Sequence, residues 1–230
     1  MTDIQITDVN KMPNLRVFYE KTGRAKYISH LDINRCMQRA LRRAEIPVWY
    51  TEGFNPHPYT TFALPLSLGY ESLCETMDMR ITKIMSCSEV TQRLNDTLPE
   101  GLTVQKTALQ KFKPEKIKKA SYTIRLGFSD CSPETALQHL KEFDQKESIL
   151  VMKRTKKGMK EIDLRPDVSL CSPCVENGFL KLELTCAAGI EKNINPTLYL
   201  DAFEQESGLD VQSVHVLKTA VLMENGQPFE

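Results

Sequence analysis

Four arginines crowd into nine residues of this chain: Arg35, Arg39, Arg42 and Arg43. At helical spacing Asp32, Arg35, Arg39 and Arg42 share one face, with Arg43 at its edge. Guanidinium groups this close repel one another unless an anion lies between them, and their planar fork grips phosphate in a bidentate way. Lys21, Arg24 and Lys26 extend the basic stretch upstream. Tyr27 and Trp49 flank it with aromatic faces on which unpaired bases can stack. The plainer alternatives are a solvated basic helix face for the row and a place in the core for Trp49.

Two histidines accompany the arginines. His30 occupies the first turn of the same helix, where the dipole favours the neutral imidazole. His57 sits between Pro56 and Pro58, which restrict the backbone and so aim the ring. A rigidly placed imidazole suits acid–base work, metal ligation or a phosphate contact. The alternatives are a local capping role for His30 and a turn residue packed on a strand for His57. With Asn55, the two histidines are expected to form a specific pocket beside the arginines. No His/Cys/Asp set has convincing ligand spacing, so no metal site is expected. Ser29-His30-Leu31-Asp32 is no catalytic triad, because consecutive helical residues point apart. Cys171-Ser-Pro-Cys174 lacks both a helix N-terminus to stabilise a thiolate and a second pair to complete a zinc site, and reads as structural or incidental.

A second basic run, Lys153, Arg154, Lys156, Lys157 and Lys160, has no acid among its residues and offers a second polyanion contact. From Lys106 to Lys119 six lysines face one glutamate, whereas formal net charge over the 230 residues is zero. Charge segregation, not net charge, keeps a polyanion partner open. Asp163 and Arg165 fall on one strand face and read as an ion pair that orients a domain interface.

The elements that must position these groups follow from pattern. Leu15 to Glu20 alternates and reads as a strand, and Lys21 to Arg24 as a turn. Ser29 caps a helix that runs to about Ala44, with Asp32 supplying a capping-box-like acid. Its buried stripe is Ile33, Cys36, Met37, Ala40, Leu41 and Ala44. Gly53 to Pro58 is a shaped loop. Thr60–Leu68 and Glu75–Ile84 read as strands, Ser86 or Ser88 caps a helix to about Leu98, and Leu102–Thr107 is a strand. After a lysine-rich linker the order recurs: strand Ser121–Phe128, a Ser132-capped helix with Pro133 at its first position, strands around Lys156-Lys157-Gly158, a hairpin turning at Asn177-Gly178, a helix from Asn195-Pro196, and a last strand Val211–Met223. The expected fold class is α+β, two ferredoxin-like (βαββαβ) domains in tandem. The expected boundaries are a loose lead-in over 1–12, a first domain over 13–107, a linker over 108–119 and a second domain over 120–230.

Seven scattered cysteines, an odd number, argue for reduced thiols and a cytoplasmic location. No apolar run approaches the roughly 20 residues of a membrane-spanning helix. The first residues show neither the basic nor the apolar region of a secretory signal.

The runs Tyr27-Ile-Ser-His-Leu-Asp32, Arg39-Ala-Leu-Arg-Arg-Ala44, Gly53-Phe-Asn-Pro-His-Pro58 and Pro65-Leu-Ser-Leu-Gly69 resemble the bacterial radical-SAM-linked protein family, a domain of unknown function. Glu161-Ile-Asp-Leu-Arg-Pro166 resembles that family's second, shorter signature. The domain occurs fused to radical-SAM proteins or encoded beside one. The resemblance implies a radical-SAM partner and a role in RNA metabolism. This chain has no C-x-x-x-C-x-x-C run, so an iron–sulfur cluster and S-adenosylmethionine would belong to that partner, and no cofactor is expected here.

The expected function is an accessory RNA-binding protein acting with a radical-SAM enzyme on tRNA or rRNA, without catalysis of its own. Arg24, Lys26, Tyr27, Arg35, Arg39, Arg42, Arg43, Asn55, His57, Lys153, Arg154, Lys156 and Lys157 would contact nucleic acid. The alternatives are a protein scaffold whose arginines dock an acidic partner, and a metal-independent RNA-processing enzyme using His30 and His57. Nothing in the sequence sets the oligomeric state.

Overall fold

The computed structural model describes residues 14–155 and 158–230. The expected lead-in over 1–12, and Lys156 and Lys157, lie outside the described residues. The architecture is mixed α+β, as expected, with four α-helices among the described residues, and it divides into two compact units, one ending at Pro114 and the other running Glu115–Phe229.

In the first unit β1 (Asn14–Lys21) leads through a 3-10 turn (Gly23–Tyr27) to α1 (His30–Arg43). Ser29 caps α1 by accepting from the Asp32 N–H at 3.2 Å, so the serine satisfies a first-turn donor with no partner inside the helix. The expected stripe is inside: Ile33, Met37, Ala40, Leu41 and Ala44 are buried, and Cys36 packs at the margin. β2 is Thr60–Phe62 and β3 is Glu71–Arg80, followed by α2 (Cys87–Asn95) and β4 (Leu102–Leu109). β1 pairs antiparallel with both β3 and β4, and β2 pairs antiparallel with β3, so the strands lie in the order β4-β1-β3-β2. α1 and α2 cover one face, burying Leu15, Val17, Met77, Met79, Val90 and Leu94 between them and the strands.

Two strand expectations are corrected. The Thr60–Leu68 strand stops at Phe62, and Pro65, which has no N–H, could not have carried the ladder on to Leu68. The Glu75–Ile84 strand runs earlier, Glu71–Arg80, leaving Ile81 in an isolated bridge to Val48. Arg16, on β1, is buried: its Nε and a terminal nitrogen bind both oxygens of Asp78 at 2.7 and 2.8 Å. The alternation of β1 points Arg16 to the sheet face opposite α1, where Gln110 also donates to Asp78 at 2.7 Å.

In the second unit β5 (Ile117–Phe128) precedes α3 (Pro133–Asp144), β6 (Leu150–Thr155), β7 (Gly158–Asp163), β8 (Val168–Glu176), β9 (Phe179–Ala187), α4 (Thr197–Ser207) and β10 (Val211–Met223). Lys118 and Lys119 therefore lie in a strand and not in a linker. The pairings β10-β5, β5-β9 and β9-β8 are antiparallel, and β6 with β7 forms a separate hairpin. Ser132 caps α3 behind Pro133, and Asn177-Gly178 turns the β8–β9 hairpin with both residues at positive φ, as expected. Phe143, Tyr199 and Phe203 pack edge to face between α3 and α4.

The Asp163–Arg165 pairing is also corrected. The Arg165 guanidinium binds Asp144 at 2.9 Å, and the Tyr199 hydroxyl donates to the same carboxylate at 2.8 Å. Asp163 instead accepts the backbone N–H groups of Ile149 and Arg165, which hold its carboxyl below the usual range. All these residues belong to the second unit. The Glu161–Pro166 run thus ties α3, α4 and the β6–β7 hairpin together.

Candidate nucleic-acid interface

The site begins with how the first unit anchors the segment after α1. Helix residues 30, 34, 38 and 42 follow one another at the four-residue step that stacks side chains along one edge. Each meets a residue of the returning chain. The His30 ring packs edge-on against Phe62 with centroids 5.0 Å apart. Asn34 Oδ1 accepts from the Thr60 hydroxyl at 2.9 Å. Gln38 donates to the Pro58 carbonyl at 3.3 Å, and the Arg42 guanidinium lies 5.9 Å from the Tyr50 ring centre. This antiparallel clasp holds residues 50–62 along α1.

Within that segment a short ladder closes the Gly53–Pro58 loop. Thr51 donates its N–H to the His57 carbonyl at 2.9 Å, Tyr59 donates to the Trp49 carbonyl at 2.9 Å, and Tyr50 bridges Pro58. His57 is pinned as the flanking prolines imply: its N–H donates to Thr51 Oγ1, and its Nδ1 lies 3.0 Å from the Asn55 carbonyl. The same Nδ1 also lies 3.1 Å from Thr51 Oγ1, so the ring is held from the Thr51 and Asn55 sides of the loop. Phe54 stands at the tip, fully exposed, beyond Gly53 at φ +122°.

The row of arginines is on the outer face of α1. Arg35, Arg39, Arg42 and Arg43 are all exposed. Asp32 binds Arg35 at 3.1 Å, and hydrogen bonds from Ser29 and Arg35 hold its carboxyl below the ordinary range. Among the described residues no acid pairs with Arg39, Arg42 or Arg43. Arg24 is exposed in the turn before the helix, and the Lys26 ammonium lies 5.2 Å from the exposed Tyr27 ring centre.

Several expected contacts are relocated. Lys21 is buried and donates to the Ile28 carbonyl at 2.9 Å, so it braces the turn that presents Arg24 and Lys26 instead of extending their surface. Trp49 is half-buried, with the Arg80 guanidinium 5.4 Å from its ring centre and the Tyr59 ring T-shaped to it at 5.5 Å, so it already has a cationic and an aromatic neighbour. His30 is half-buried, and it is chiefly burial that lowers its pKa, with Glu75 opposing and Lys21 adding to the shift. Among the described residues no hydrogen bond or ring contact joins His30 to His57: His30 packs on Phe62, and His57 is held within its own loop. Asn55 is exposed at the loop. Lys153 is half-buried and donates to the Asn193 carbonyl at 2.6 Å, while Arg154 is exposed; both lie in the second unit.

Sequence reasoning missed Phe54 and the clasp residues Asn34 and Gln38. A phenylalanine inside a Gly-Phe-Asn-Pro turn, with no periodic apolar neighbour, was the available signal for Phe54. No group of three His, Cys, Asp or Glu residues is placed to hold a metal among those described. Nor is any described helix long and apolar enough to cross a membrane. Cys171 and Cys174 are exposed on β8, where the register against β9 shifts.

A protein family described as uncharacterized protein conserved in bacteria (DUF2344) matches residues 14–196, which include the arginine row, the loop and the Glu161–Pro166 run. The chain belongs to this family. No curated protein matches it. Among solved structures, a chain in the crystal structure of a Cbf5-Nop10-Gar1 complex aligns at 9% identity and a TM-score of 0.51, over 90% of this chain and 48% of that one. At that identity the likeness is one of fold alone, and this chain spans about half the length of the chain it resembles. An unknown protein from Galdieria sulphuraria aligns over 90% of this chain and 99% of its own at 12% identity, with a TM-score of 0.24.

Proposed function

We propose that this member of the family is an RNA-binding accessory protein that presents tRNA or rRNA to a separate radical-SAM enzyme in modification or processing. The observation that carries the reading is the exposed row Arg35, Arg39, Arg42 and Arg43, with Asp32 the one acid paired to it among the described residues. Phosphates relieve the repulsion within such a row. Arg24, Lys26 and Tyr27 flank it, and Arg154 offers a further contact. The radical-SAM partner rests on the sequence resemblance, and the iron–sulfur cluster and S-adenosylmethionine would be that partner's. We also read both units as ferredoxin-like domains in tandem. The support is that each places four antiparallel strands in the order fourth-first-third-second with two helices between them, the second carrying β6 and β7 as an inserted hairpin.

A protein-docking role is the second reading, favoured by Leu31, which lies exposed on the same outer face. One experiment separates the two. Filter binding to total tRNA and rRNA fragments at two salt concentrations compares wild type with Arg35→Glu/Arg39→Glu. Tight, salt-sensitive binding that the double variant loses is expected. Binding that ignores salt, or no binding, would transfer the row to an acidic protein surface.

A further inference from the structure

Resting on the RNA reading, we infer that the interface takes unpaired nucleotides rather than duplex, and that Phe54 is the residue on which a base stacks. The ring is fully exposed, and no aromatic or cationic group among the described residues covers it. Its loop is fastened rather than loose: the Thr51–His57 and Trp49–Tyr59 hydrogen bonds close the base, and His57 braces the interior. An apolar ring held out in water by a fixed loop is poised for a flat apolar partner.

The position of the ring supplies the identity of that partner. Tyr50 stacks with Arg42, and Phe54 is four residues on, so its Cα lies within about 14 Å of that of Tyr50 at full chain extension. Phe54 and the arginine row therefore stand within one short stretch of a single strand. Cationic side chains tracking a backbone, with an aromatic beside them for the bases, is the combination that single-stranded nucleic acid requires. A duplex hides its base faces in the stack and would use the arginines alone. Within the row Asp32 pairs with Arg35, and no acid among the described residues pairs with Arg39, Arg42 or Arg43.

The test is fluorescence anisotropy of the full chain with a labelled 12-nucleotide oligoadenylate, and with a labelled hairpin of continuous duplex stem. Wild type, Phe54→Ala, Phe54→Tyr and Arg39→Gln are compared at fixed salt, with Trp49 emission reporting the fold. Phe54→Ala is expected to weaken oligoadenylate binding by about 5- to 140-fold, from the worth of one base–aromatic stack. It should leave stem binding and the salt slope unchanged, and Phe54→Tyr should restore affinity. Arg39→Gln should weaken both probes. Salt-sensitive wild-type binding that Phe54→Ala changes less than twofold, or that it reduces equally for both probes, overturns the stacking role while leaving the RNA reading intact. No binding of either probe by wild type overturns both, and points to a protein partner.

Discussion

The Arg16–Asp78 pair lends itself to a quantitative test because a natural reporter lies beside it. Trp49 is the only tryptophan in the chain, and its backbone N–H donates to the carbonyl of Arg80, two residues along β3 from Asp78. Asp78→Asn keeps the shape of the side chain and removes the charge that faces a fully buried guanidinium. Deleting one partner of a buried ion pair costs about 3–5 kcal/mol, because the remaining charge is stranded away from water. With a urea dependence of about 2 kcal/mol per molar, the midpoint seen by Trp49 fluorescence should fall by about 1.5–2.5 M. Replacing both residues by apolar ones, Arg16→Met/Asp78→Leu, removes the charge and its desolvation together. That variant should recover most of the loss. A shift below about 0.5 M for Asp78→Asn, equivalent to about 1 kcal/mol, would refute the assignment of Arg16 to the interior of the first unit.

Three further outcomes follow from the same geometry. If Arg39, Arg42 and Arg43 each take one phosphate of a single strand, affinity should drop about 20-fold between 50 and 200 mM salt, and about sevenfold in Arg39→Gln; equal slopes in a filter-binding titration would exclude Arg39 as a contact. Burial lowers the pKa of His30 below its ordinary 6.5, so its stabilising contribution is complete above that pH and is lost as pH falls through the folded value. The Trp49 urea midpoint should accordingly decline with acidification below pH 6.5, and less steeply in His30→Gln; identical pH profiles would count against a half-buried, neutral His30. Gly101 stands at φ +86°, and an added Cβ would fall 2.5 Å from the Thr22 carbonyl, at the root of the turn that carries Arg24 and Lys26. Gly101→Ala should cost more than about 1 kcal/mol by thermal denaturation, and an unchanged melting temperature would show that the turn can shift to admit it.

Much of this fold was legible in the sequence because its signals are local. The Ser29 and Ser132 caps, Pro133 at the start of a helix and the Asn177-Gly178 turn each act over a few residues, and each is found where pattern placed it. The arginine row was legible for the same reason: a 14-residue helix with one apolar stripe must present Arg35, Arg39, Arg42 and Arg43 to the other side. Strand ends were less legible, since pairing depends on a neighbour that sequence spacing does not name. Thus β2 ends at Phe62 and β3 begins at Glu71.

Only the tertiary structure decided which charged and aromatic residues face solvent. Arg16 and Arg24 are alike as letters, yet strand alternation sends Arg16 to Asp78, 62 residues away, while Arg24 stays exposed on its turn. Lys21 is consumed by a backbone carbonyl, and Arg165 chooses Asp144 over its sequence neighbour Asp163. Trp49 and Phe54 exchange the roles their types suggest: Arg80 and Tyr59, brought in by chain pairing, neighbour the larger ring, and the loop leaves the smaller one open. Sequence by itself determined the elements, the caps and the existence of a basic face. The long-range contacts, which no window of sequence contains, determined which of its neighbours that face has for company.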